Sequence, residues 1–182
     1  MEVVVSHIDE FRAGKDEFFR DSPDSPLTAT QHRSFRGLSY YPENAELALE
    51  LEAVPFPIQE LVTMQTSTGG EAVYERWARV TFEVGGEETG LTLYRERGSG
   101  HIFLPFQDTN AGGETYGAGR YLEVLPLDNG RVLLDFNYAY NPYCAYNETY
   151  DCPFPPSSNR LKIEVRAGER APGAAIDTKA GA

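Results

Sequence analysis

The chain has 182 residues, 41% of them hydrophobic, and a formal charge of −12. That is enough for one domain with its own core, and too acidic a surface for phosphate backbones or anionic membranes. No apolar run approaches the thickness of a bilayer, and the opening MEVVVSHIDEF lacks the basic and long apolar regions of a secretion signal, so a cytoplasmic protein without nucleic-acid or membrane partners is expected.

Only three lysines stand against thirteen arginines. The acid excess reads as a hydrated, solubilising surface, a composition that also suits a salt-loving source.

Ser6-His7-Ile8-Asp9 has the pattern of a helix start, a hydroxyl at the N-cap and an acid three residues on. Ile8, Phe11, Phe18 and Phe19 recur at near-helical spacing, and Lys15 interrupts the stripe with a stem long enough to lie along it. This predicts a helix from about His7 to Arg20, ended by the prolines of DSPDSP. A second short helix is predicted over Ala29–Arg36, with Gly37 as its stop.

Beyond Gly37 the period changes to two. ELALELEA and VYERWARVTFEV alternate apolar and polar residues, GGEETG reads as a hairpin loop, and LTLYRE as the returning strand. HIFLPF follows the turn RGSG. YLEVLPL and RVLLDFN are joined by Asp128-Asn129-Gly130, a tight-turn signal, and LKIEVRA alternates again near the end.

Seven or eight strands on short loops imply antiparallel pairing. The expected fold is mainly β: an antiparallel sandwich or partly open barrel over residues 1–170, with the helical segment of residues 7–36 packed on it. The tail 171–182, small and polar, reads as disordered.

The chemistry-bearing residues gather late. Residues 135–156, DFNYAYNPYCAYNETYDCPFPP, hold five tyrosines, three asparagines and two cysteines. Along RVLLDFN, Leu133, Asp135 and Asn137 share one face, which places a carboxylate and an amide in a semi-buried site. Arg120 opens the strand expected to hairpin with this one. Its distance from the Asp-Asn-Gly turn matches that of Asn137, so a contact of Arg120 with Asp135 or Asn137 is expected. The glycine-rich loop QDTNAGGETYGAG carries Asp108, Glu114 and Tyr116 and matches no phosphate-binding loop.

Cys144 and Cys152 are spaced C-x7-C. A reducing compartment disfavours a lasting disulfide between them, and His7, His32 and His101 show no metal-ligand spacing, so no metal or cofactor is expected. Nothing in the spacing brings His101 to Cys144 as a base. Asn147-Glu148-Thr149 is a glycosylation triplet, incidental without a secretion signal.

Three segments resemble the domain-of-unknown-function family 1684: FFRDSPDSPLT with FRGLSYYP, then FLPFQDTNAGGETYGAGRYLE, then DFNYAYNPYCAY with CPFPPSSNRLKIEVRAGE. The resemblance spans about residues 8–170. It implies no reaction. It does imply that Asp108, Tyr116, Arg120, Asp135, Asn137, Tyr140, Asn141 and both cysteines belong to a shared pattern. Gln107 departs from that pattern, which more often has arginine ahead of Asp108.

Together these readings lead to a domain that binds a small polar or anionic ligand at one end of the β structure. Arg120 would take an anion and Asp135 would orient it, with Asn137, Tyr140, Asn141 and Tyr116 lining the site. The alternatives are a hydrolase or isomerase using Asp108 or Asp135 as base, and a structural or interaction domain without a small-molecule site.

Overall fold

The computed structural model describes residues 6–173 and is mainly β, two open antiparallel sheets arranged sandwich-like with one main helix at the N-terminus. Helix α1 (His7–Asp21) begins where the Ser6 hydroxyl accepts from the Asp9 amide and ends as the Ser22 amide donates to the Phe18 carbonyl. Of its apolar stripe only Ile8 and Phe19 are buried. Phe19 packs edge-on against Tyr146, while Phe11 leans on Tyr138 at the molecular surface. Helix α2 (Ala29–Ser34) carries a full capping box between Thr28 and Gln31. It stops short of Gly37 because Phe35 turns extended to bury its ring in the cluster of Phe19, Leu27 and Tyr146.

The strands are β1 (Ala48–Glu52), β2 (Val54–Pro55), β3 (Leu61–Gln65), β4 (Glu71–Val84), β5 (Glu87–Arg95), β6 (Ile102–Phe106), β7 (Arg120–Glu123), β8 (Leu125–Pro126) and β9 (Arg131–Asp135). One sheet runs β2-β4-β5-β6-β7, with β3 also on β4; the other runs β1-β9-β8. The β4–β5 hairpin is tighter than expected. Only Gly85-Gly86, both at positive φ, lie outside the ladder, and Val84 already faces Glu87. Asp128-Asn129-Gly130 makes the turn into β9, with Asn129 at φ 59°.

Two expected elements differ. YLEVLPL is not one strand: β7 pairs with β6 in the larger sheet, and after Val124 the chain crosses to pair as β8 with β9 in the smaller one. LKIEVRA is not a strand either. Residues 161–169 form an irregular strap that still sends Leu161, Val165 and Ala167 into the core.

Val80, Leu91, Leu93, Leu104, Leu122, Leu134 and Phe136 fill the space between the sheets. Strand β6 is buried at all five positions, because Leu104 and Phe106 face that core while Phe103 packs on the other side against Tyr74 and Tyr121. No described helix is long and apolar enough to cross a bilayer. Of the tail expected to be disordered, Ala171 is tied by its amide to the Glu114 carbonyl, and residues 174–182 lie outside the described residues.

The strap is held at a tight crossing. Gly168 has φ +74°, and a Cβ there would stand 2.6 Å from the Ala139 carbonyl oxygen and 2.7 Å from that of Phe136. Gly168→Ala is expected to cost more than about 2 kcal/mol in urea unfolding. Gly14→Ala, in an exposed helical position with open space around it, is expected to gain roughly 0.5–1 kcal/mol. Equal stabilities for the two variants would contradict this placement of the strap.

Candidate functional site

Side chains alternate along β7, so Arg120 and Leu122 point into the core while Tyr121 points to the opposite face. Arg120 is only 1% exposed. Its guanidinium donates to the carbonyls of Val165 at 2.8 Å, Ala167 at 2.6 Å and Glu169 at 2.9 Å. The Asp108 carboxylate lies 3.6 Å away and itself accepts from the Thr115 hydroxyl and the Val165 amide. Burial weakens the guanidinium's hold on its proton, and Asp108 counters that. Asp108 is thus satisfied without an arginine at position 107; the Gln107 side chain instead donates to the Gly117 carbonyl.

The expected contact of Arg120 with Asp135 or Asn137 does not form. That expectation assumed one hairpin carrying both, but the crossover at Val124 puts Arg120 and Asp135 in different sheets. Asp135 accepts from the Asn137 amide and side chain, capping the turn that ends β9. Asn137 is buried and clasps Asn44, accepting from its amide and donating to its carbonyl. Asn141 is buried too: its amide donates to the Glu169 carboxylate, and its side chain to the Tyr146 hydroxyl and the Arg170 carbonyl. Four of the candidates, Asp108, Arg120, Asn137 and Asn141, therefore bind the chain to itself.

Asp135 and Tyr140 open instead onto a cleft of about 960 Å³. Its walls are largely aromatic, from Phe11 of α1, Tyr121 of β7, and Tyr138, Tyr140, Tyr143 and Tyr150 of the excursion after β9; Leu125 and Leu133 complete the apolar surface. Burial raises the pKa of each of Tyr121, Tyr138, Tyr140 and Tyr143, so these phenols keep their protons at neutral pH. The Tyr140 hydroxyl donates to Glu123. Carboxylates of Glu123, Asp135 and Asp151 line the cleft, together with one cation, Lys15.

In the sequence Lys15 shows only as a break in the α1 stripe. One turn after Phe11, it places its ammonium 5.0 Å from the Tyr140 ring centre and 2.5 Å from a Glu169 carboxylate oxygen. Glu169 is 1% exposed and carried no sequence signal, because it lies in the strap where no strand period applies. Its other oxygen accepts from the Asn141 amide and the Tyr146 hydroxyl. Tyr116, also expected at the site, is not part of the cleft lining; its hydroxyl lies 3.8 Å from the Cys144 sulfur, behind the wall.

The family described as "Protein of unknown function (DUF1684)" matches residues 33–170. Among solved structures, the chain is similar to an uncharacterised protein of Haloarcula marismortui studied by solution NMR, at 36% identity and a TM-score of 0.69, covering 90% of this chain and 91% of that one. No curated protein matches.

Arg120→Ala leaves Asp108 buried without its counter-ion and three carbonyls without a donor. The expected loss in urea unfolding is about 3–5 kcal/mol. Asp135→Ala removes a turn cap and one acceptor of the Asn137 side chain, which keeps its bond to Asn44, and is expected to cost about 1 kcal/mol. An Arg120→Ala protein as stable as the parent would show that the guanidinium does not hold the strap.

Proposed function

The chain belongs to the DUF1684 family, and we propose that it binds a small polar ligand in the tyrosine-walled cleft beside α1. One observation carries this reading: a concavity of about 960 Å³ in which aromatic and leucine walls meet a few convergent polar groups. Packed phenols offer flat apolar area at little entropic cost, and their hydroxyls fix orientation.

The charges favour a neutral or cationic ligand over an anionic one. Arg120, the anion-binding group expected from the sequence, is enclosed by the chain's own carbonyls. Lys15 already has its charge matched by Glu169. An anion entering the cleft would meet the carboxylates of Glu123, Asp135 and Asp151. The ligand class that fits is a planar or aliphatic body bearing an amine, amide or hydroxyl. A reaction using an aspartate base has less support, since Asp108 is sealed in the core and Asp135 is engaged by Asn137.

Thermal-shift screening with matched neutral, cationic and anionic heterocycles tests the reading. A ligand present at about a hundredfold its Kd adds about 2.7 kcal/mol, a rise of several degrees in Tm. The rise is expected with neutral or cationic members and absent with anionic ones. It should vanish in Leu125→Arg, a change at a wall residue already 57% exposed that removes apolar wall, repels a cation and leaves the fold intact. A rise that survives this substitution, or no rise with any class, overturns the assignment.

A further inference from the structure

The excursion after β9 brings its two cysteines together. Cys144 sits in a single 3-10 turn, Tyr143–Ala145, and is partly exposed; Cys152 is 8% exposed and forms part of the cleft wall. Cys144 packs against the buried cluster that contains Cys152, and the Cys152 thiol acts on its sulfur as a hydrogen-bonding partner. The Tyr116 hydroxyl reaches the same sulfur at 3.8 Å, and the Ser67 hydroxyl lies alongside. Ser67 also fixes Cys152, accepting from its amide at 3.0 Å while donating to the Tyr150 carbonyl. The two cysteines are eight positions apart in one excursion, pack in the same cluster and belong to no strand, so bonding them displaces no ladder.

We propose that Cys144 and Cys152 form a hydroperoxide-reactive dithiol site, with Cys144 as the attacking sulfur and Cys152 as the resolving one. The hydrogen bond from Cys152, with those from Tyr116 and Ser67, outweighs burial and holds the Cys144 thiol down to about 6, while the same pairing pushes Cys152 up. At neutral pH the pair is therefore one thiolate and one thiol, the division of labour such chemistry needs. Tyr116, Tyr121 and Asp151 bear on the pair, Glu148 bears on Tyr116, and Tyr74, Tyr140 and Tyr150 pack in the same cluster. Burial keeps the phenols of Tyr116 and Tyr121 protonated, so Tyr116 remains a donor to the thiolate.

The steps balance. The Cys144 thiolate attacks the peroxide oxygen: a sulfur–oxygen bond forms, the oxygen–oxygen bond breaks, and the departing alkoxide or hydroxide takes a proton from solvent. Cys144 is then a sulfenic acid. The Cys152 sulfur attacks it: the disulfide forms, the sulfur–oxygen bond breaks, and the hydroxyl leaves as water with the Cys152 proton. Two thiols have been oxidised and one hydroperoxide reduced to alcohol or water; two equivalents of an external thiol, leaving as their own disulfide, reset the pair. The site needs no ligand in the cleft, so it stands or falls independently of the binding role.

The test uses the full chain, reduced, freed of reductant and treated with equimolar hydrogen peroxide. The parent is expected to lose two hydrogens in mass spectrometry, with residues 144 and 152 cross-linked within one chain, about tenfold or more faster than glutathione oxidises. Cys152→Ser keeps a hydroxyl donor and is expected to stop at a sulfenic acid on Cys144, trapped by dimedone. Cys144→Ser is expected to leave Cys152 unoxidised over the same period. Circular dichroism confirms that both variants are folded. Iodoacetamide labelling of Cys144 is expected to rise with pH through a midpoint near 6. A parent that keeps both thiols, oxidises no faster than glutathione or forms only intermolecular disulfides overturns the proposal, as does a Cys144→Ser protein that reacts as fast as the parent.

Discussion

A guanidinium removed from water loses hydration worth several kcal/mol unless its donors are matched inside the protein. Arg120 meets that requirement with the Asp108 carboxylate and three carbonyls of a single segment, those of Val165, Ala167 and Glu169. The carbonyls that a neighbouring strand would have paired are paired by a side chain instead. This is why residues 161–169 lie irregularly against the core, although their sequence alternates like a strand. The same need explains the burial of Asp108, whose remaining capacity is taken by Thr115 and the Val165 amide.

Fixing the strap fixes what hangs from it. Glu169, the last residue whose carbonyl Arg120 holds, turns its carboxylate toward Asn141, Tyr146 and Lys15. Through Lys15 it anchors α1, and through Asn141 the start of the tyrosine-rich excursion. Those two elements supply much of the cleft wall. The cleft thus depends on a buried ion pair whose members never face it, and it inherits its rigidity from polar contacts that exclude solvent.

The concentration of hydroxyls, amides and thiols in residues 135–156 divides along two sides of one excursion. Asn137, Asn141 and Tyr146 face inward and satisfy backbone and carboxylate groups. Tyr138, Tyr140, Tyr143 and Tyr150 face the cleft. Cys144 and Cys152 pack in one cluster behind and in the cleft wall, and Tyr116 reaches Cys144 from the glycine-rich loop. A segment without regular ladders must find partners for its polar groups elsewhere, and asparagine and tyrosine supply them at short and long range respectively.

What was local in cause was legible in the sequence. The Ser6 cap, the alternation of β4 and its hairpin to β5, the Asp128-Asn129-Gly130 turn and the inward face of Val132, Leu134 and Phe136 each follow from contacts within a few residues. Leu133 and Asp135 fell, as their parity required, on the partly covered face that lines the cleft. The partner of Arg120 was not legible. Counting residues from a turn locates an opposite neighbour only if both strands stay in one sheet, and the chain changes sheet at Val124 with no local mark of doing so. Lys15 and Glu169 were hidden for a related reason: a helix and an irregular strap, far apart in the chain, became neighbours through packing alone. Periodicity reports which way a side chain points, but the group it meets there is decided by how the layers close, and that belongs to the tertiary structure.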